Sequence, residues 1–279
     1  GAFNEPTPDW LSFFMFTYFT DRDGKYQLGA LRESAFDPLS RTCDFMLKEE
    51  AHHMFVGASG VGRVVQRTAE LMNAFDTADV EPHGGINLDT LQRYINFHFS
   101  VSLDLFGSEL STNAANYYAS GIKGRFAEQD YDDDHVLTDG DRELLTIRGD
   151  RLFEEVVPAR SAVNADLRDD YIADCAKGLR RWNRILDEHD IDTELALPHM
   201  GFNREVGAFS SAHITPDGTI VGTPEWAQRS NDWLPSKGER AHVSSLMSPQ
   251  VEPGQMADWI APPSRGINTR PVDYEYVRL

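Results

Sequence analysis

Residues 10 to 19 read WLSFFMFTYF, an aromatic and aliphatic run broken only by Ser12 and Thr17. So apolar a stretch must leave water, either across a bilayer or into a core. A membrane-spanning helix needs about 20 consecutive apolar residues, so this run predicts a buried core helix. Thr7-Pro8, a cap residue followed by proline, predicts its start. Asp37-Pro38 repeats that signal and opens a second helical stretch, LSRTCDFMLKEEAHHMFV, running to Val56. There GASGVG is expected to loosen the helix before a further amphipathic stretch, VVQRTAELMNAF.

Beyond Pro82 and Gly84-Gly85 a helix is expected over residues 88–106, and residues 127–141 form an acidic loop. RELLTIRGDRLFEEVV alternates and turns at Gly149-Asp150, so it predicts a hairpin, with a long helix following from about Ala159 to Asp187. AHITPDGTIVG predicts a second hairpin with Pro216-Asp217-Gly218 as its turn. After Pro235 mostly loop is expected, stiffened by Pro262-Pro263. The fold class is therefore mainly α, a helical bundle with small β-hairpins and an irregular C-terminal tail. Its organisation is expected as residues 1–126 (half of a helical bundle), 127–205 (acidic loop, hairpin and long helix packed on it) and 206–279 (hairpin and extension of the same domain).

At 279 residues and 41% apolar, the chain can bury a substantial core. Its formal charge of -19, from 45 acidic and 26 basic side chains, with no concentrated basic patch, argues against nucleic acid and anionic lipid as partners. Cys43 and Cys175 lie far apart without a CxxC, which gives no disulfide framework and suits a reducing compartment; cytoplasm is the expected location. No signal-peptide order is present, and the sequence opens GAFNEPTPDW, as though starting mid-protein.

The octet KEEAHHMF, residues 48–55, carries the chemistry. Residues three apart share a helix side, so it holds two overlapping Glu-x-x-His pairs, Glu49 with His52 and Glu50 with His53. If the first two helices form an antiparallel hairpin turning near Phe36, Asp21 lies 15 residues before the turn and Glu50 lies 14 after it. At 1.5 Å per residue they face each other about 20 Å from the turn. This requires the first helix to run through Gly24, at roughly 1 kcal/mol for an interior glycine. A carboxylate facing a Glu-x-x-His is the half-site from which four-helix two-iron proteins are built. Carboxylate oxygen and imidazole nitrogen suit iron, and carboxylates can bridge two metals. Glu50 would bridge, with Asp21 and His53 as terminal ligands. Periodicity alone leaves both registers open, since Glu49 and His52 share a side with Phe45, Met46, Phe55 and Val56.

The segments GAFNEPTPDWLSFFMFTYFTDRDGKYQL, FMLKEEAHHMFVGASGVGRVVQRT, LRDDYIADCAKGLRRWN and WIAPPSRGINTRPVDYEYVRL closely resemble the C-terminal portion of the oxygenase component of benzoyl-CoA 2,3-epoxidases. The resemblance runs nearly the whole length of the chain. It implies a ferritin-like bundle, incomplete here, whose two-iron centre uses O2 to epoxidise the ring of benzoyl-CoA in aerobic benzoate degradation. It also implies electrons from NADPH through a separate reductase carrying FAD and an iron-sulfur centre. Position by position, the family's second half-site falls on Asp21, Glu50 and His53. The remaining ligands are expected upstream of Gly1, in an N-terminal segment without which this chain should not turn over.

Other motifs carry less. A lone Glu-x-x-His is usually a surface feature. GASGVG follows a helix and lacks the Lys-Ser/Thr of a phosphate loop, so packing or a kink is expected. His98 reads as a core histidine, Glu188-His189 as solvated, Asp132 to Asp134 as acidic loop and the Arg-Gly-Asp of residues 148–150 as a turn. Lys123, Arg125, Arg180, Arg181 and Arg265 are the cations available to coenzyme A phosphates. Two further classes compete with the oxygenase: an iron-storage protein of ferritin-like build, and a non-catalytic subunit keeping the fold.

Overall fold

The computed structural model describes residues 2–124, 140–247 and 257–264. The apolar run lies in helix α1 (Trp10–Arg32), and α2 is a single helix, Asp37–Phe75. Asp9, in extended backbone, caps α1 by accepting the Ser12 N–H at 2.7 Å, which satisfies a donor that the helix leaves orphaned. The start is thus two residues later than Thr7-Pro8 suggests, because Asp9 supplies the side-chain acceptor. α1 continues through Gly24, as the hairpin requires. Tyr26 and Ala30 beyond it are buried, and their burial outweighs the roughly 1 kcal/mol an interior glycine costs.

α2 opens at Asp37 with Pro38 in its first turn, where the missing N–H of proline costs nothing. GASGVG does not loosen it. Gly57, Gly60 and Gly62 are all buried within the helix. A Cβ at Gly57 would lie 2.5 Å from the Tyr18 backbone nitrogen, and one at Gly60 would lie 2.4 Å from the Phe14 ring. Gly57 and Gly60 are where α1 presses into α2, and that close approach offsets their low helix propensity.

Helices α3 (Leu88–Leu103), α4 (Thr112–Ala119) and α5 (Val163–Glu188) follow, with a 3-10 turn Asp104–Phe106 extending α3. α1 runs at the centre of the main core, which gathers Leu11, Met15, Phe19, Val64, Phe99 and Leu179. Its polar contacts fix the neighbours. The Thr20 and Ser102 hydroxyls lie 3.0 Å apart. The Tyr18 hydroxyl donates to the Cys175 carbonyl at 2.8 Å, and the Tyr171 hydroxyl donates to the Phe19 carbonyl at 3.1 Å. Trp182 of α5 donates its indole N–H to the Ala58 carbonyl of α2 at 3.1 Å.

Strands β1 (Asp141–Arg148) and β2 (Arg151–Pro158) pair antiparallel, with Arg148 opposite Arg151 and Gly149 at φ +61; the Arg-Gly-Asp sequence is the hairpin turn, as expected. β3 (His213–Ile214) and β4 (Ile220–Val221) form the second hairpin, with Gly218 at φ +90 and Asp217 accepting from the Thr215 hydroxyl. The tail departs from expectation. After α6 (Thr223–Trp233), α7 (Lys237–Leu246) occupies a stretch read as loop. A reciprocal cap explains it: Ser236 accepts the Glu239 N–H while the Glu239 side chain accepts the Ser236 N–H. Further on, Ala261 exchanges two bonds with Arg63 of α2, and Arg67 donates to the Asp258 carbonyl at 2.7 Å. The fold is mainly α, with two small two-stranded sheets among the described residues. Both cysteines are free and buried. Among the described residues no helix is long and apolar enough to cross a membrane.

Candidate metal centre

The α1–α2 hairpin brings Asp21, Glu50 and His53 together, with one potential ligand atom from each lying within 4.8 Å of the others. Nδ1 of His53 is 3.5 Å from Asp21 Oδ2 and 3.7 Å from Glu50 Oε2. These separations are too long for good hydrogen bonds and short enough for one small cation to reach all three. The hairpin explains the level: the chain turns through residues 33–36, and both helices rise equally from it. Gly24 lies one turn beyond Asp21, and its place on α1 faces Glu50 without crowding it. A Cβ there would sit 3.5 Å from the Glu50 carboxyl.

The other register points away. Glu49 and His52 are exposed, and neither belongs to a cluster of metal-capable side chains among the described residues. One helical position separates Glu49 from Glu50, and the rotation of about 100° between them decides which one meets α1.

The electrostatics of the site are those of a donor set short of positive charge. Burial, then the neighbouring Glu50 charge, pushes the Asp21 carboxyl up to about 6, with His53 opposing. Burial also raises Glu50, again opposed by His53. Glu50 Oε2 is buried without a hydrogen-bond partner, a costly condition for a carboxylate oxygen. A divalent cation would relieve all three strains together, and two carboxylates with one imidazole suit iron, manganese or zinc. The side chains of Asp21 and Glu50 are 16% and 18% exposed, whereas His53 is 47% exposed. The site therefore opens outward on the His53 side.

The remaining candidates separate clearly. His98 is buried beside Tyr94 and Phe97, and burial pulls its imidazole down to about 3, that of a neutral core histidine. His189 donates from Nδ1 to the Ile185 carbonyl at 2.8 Å and caps α5. Lys123 donates to Gln27 at 2.9 Å, and its ammonium is held below the usual range by burial, opposed by Asp23. Arg180 and Arg181 are exposed on α5. Arg125, Arg265 and Asp132 to Asp134 lie outside the described residues. Of the two outcomes expected for GASGVG, packing is the one found, at Gly57 and Gly60; the signal that the helix stays unbroken was the three-residue spacing of these glycines.

No family model matches the chain. It is 54% identical over 281 residues to the benzoyl-CoA oxygenase component B of Aromatoleum evansii, a match taking in 100% of this chain and 59% of that protein. The part-length match fits the expectation that the chain corresponds to a portion of a longer protein. Over its whole length, with Asp21, Glu50 and His53 gathered on one hairpin, the chain is related to a benzoyl-CoA oxygenase component B.

Proposed function

We propose that this chain contributes one half of a two-iron centre in a ferritin-like oxygenase component that epoxidises the ring of benzoyl-CoA at its 2,3 bond. The observation that carries the reading is the convergence of two carboxylates and an imidazole from two adjacent helices, with one carboxylate oxygen buried and unpartnered. Likeness to a protein named for benzoyl-CoA oxygenation supplies the substrate class. When bound, iron supplies the electrons that activate O2, so that one oxygen atom enters the ring and the other leaves as water. The reducing equivalents come from a separate reductase that oxidises NADPH through FAD and an iron-sulfur centre. The remaining donors would come from outside this chain.

Within that scheme this chain's residues have distinct tasks. Glu50, with a free oxygen facing the layer, is the carboxylate able to bridge. Asp21 and His53 would hold one iron as terminal ligands. Asp21 carries a proton over part of its population near pH 6, which a cation must displace, so metal uptake by this half-site releases protons and weakens as pH falls. The exposed edge of His53 is where the missing donors and the substrate would approach.

The test uses the longer protein with its reductase, iron, O2 and benzoyl-CoA. A product heavier by one oxygen atom is expected, with none formed by the 279-residue chain alone. Glu50→Ala should lose bound iron and turnover together, while Glu49→Ala keeps most of both. Turnover by this chain alone, or greater iron loss in Glu49→Ala, would overturn the assignment.

A further inference from the structure

The Asp21, Glu50 and His53 layer is bracketed along the hairpin by two glycines, and the two are not equivalent. Gly57 lies one helical turn beyond His53 on α2 and meets α1 at Thr17 and Tyr18, one turn before Asp21. Gly24 lies one turn after Asp21 and meets the Glu50 carboxyl. We propose that Gly57 is a positioning residue: it sets the separation of α1 and α2 at the donor layer, and with it the 3.5 Å approach of His53 to Asp21. This rests on the metal half-site reading above.

The atoms that a Cβ would strike carry the argument. At Gly57 they are the Tyr18 backbone nitrogen at 2.5 Å, the Thr17 hydroxyl at 2.7 Å and the Phe14 carbonyl oxygen at 2.8 Å. Two of the three are main-chain atoms locked in the hydrogen-bond ladder of α1, so the only relief is for the helices to part. At Gly60 the obstacle is the Phe14 ring, at 2.4 Å; Gly60 lies two turns from His53, so any yielding there is centred farther from the donors than at Gly57. At Gly24 the nearest atoms lie at 3.5 Å, ordinary contact. Helices are stiff over one turn, about 5.4 Å, so parting at Gly57 carries over to the donors. Metal–ligand distances in well-formed sites fall within about 0.2 Å of their preferred values.

The experiment titrates the full chain with Co(II), read by its visible absorption, in wild type, Gly57→Ala, Gly60→Ala and Gly24→Ala. Circular dichroism reports folding, and metal-free crystal structures of wild type and Gly57→Ala are compared. Gly57→Ala should bind about tenfold more weakly or worse and show a wider Asp21 to His53 separation. Gly60→Ala, even with lowered thermal stability, should bind like wild type, as should Gly24→Ala. Should Gly57→Ala fail to fold, Thr17→Leu wedges the same contact from α1 and is expected to weaken binding likewise. A folded Gly57→Ala or Thr17→Leu with wild-type affinity and unchanged donor spacing overturns the proposal. Absence of Co(II) uptake by wild type would instead sink the half-site reading, while the crystal comparison still decides whether Gly57 sets the spacing.

Discussion

The two halves of α2 belong to one unbroken helix yet live in different surroundings. Between Asp37 and Val56 only Cys43 is buried, whereas from Gly57 to Leu71 a continuous stripe including Val61, Val64, Val65, Thr68 and Ala69 is buried. The second half is held by α1, α5 and the segment around Ala261. The first half leans mainly on α1 and on local pairs such as Arg41 with Asp37, and Lys48 with Asp44 at 3.3 Å. Each such pair is worth only about 0.2–0.5 kcal/mol. Phe45 and Phe55, 68% and 69% exposed, show how little covers it. The candidate metal donors Glu50 and His53 sit on this lightly held half. The difference teaches that the helix is anchored at one end and presents its chemistry from the other, where order depends on what covers the open side.

The comparison breaks most visibly in the anchored half. Trp182→Ala removes the indole packed on Tyr18 and bonded to Ala58, and should cost about 3–5 kcal/mol of stability by urea unfolding. A loss below ~1 kcal/mol would mean that α5 does not anchor α2. Next comes hydrogen exchange on the metal-free monomer: amides of residues 40–55 should exchange about a hundredfold faster than those of residues 60–71. Strong and equal protection along the whole helix would erase the distinction drawn here.

A smaller effect is expected from pH. Folding raises the Asp21 carboxyl from its ordinary 3.8 to about 6, so the folded state binds that proton more tightly than the unfolded state. The associated stability is present below about pH 4 and is lost as pH rises through 6. Asp23, pushed up to about 7 by burial, acts in the same direction. The difference between wild type and Asp21→Asn in melting temperature, measured from pH 4 to 7, therefore isolates the donor layer. It should shrink when a divalent cation is added at pH 7. The smallest effect belongs to Phe55→Ser, which should change stability by no more than about 0.5 kcal/mol; a large loss there would show that the open half is packed in solution.

Much of the functional geometry was legible in the chain because it depends on counting. The turn near Phe36, the Pro38 start and the equal rise of two helices were enough to place Asp21 opposite Glu50. What escaped was set by packing. GASGVG looks like a break because glycine is a poor helix former, and only the approach of Phe14 and Tyr18 reveals why it stays helical. α6 and α7 together bury one residue, Val243, so hydrophobic periodicity was faint there. Their signals were Thr223-Pro224 and the Ser236-Glu239 cap, which are local and short. Thr7-Pro8 gave a nearly correct start, displaced because Asp9 is the residue whose carboxylate reaches a free N–H.

The bonds from Arg63 and Arg67 to residues 258–261 join positions as much as 198 apart in sequence. They place Trp259, 6% exposed, and Ile260 against the main core. Contacts so distant along the chain form only after the intervening loop closes, and such closures are slow. This strap cannot seat until the second half of α2 exists to receive it, so on refolding it arrives late. A tryptophan that leaves water at that step gives the chain an optical clock: with the other four tryptophans replaced by phenylalanine, the shift in Trp259 emission marks the moment when residues 258–261 meet α2.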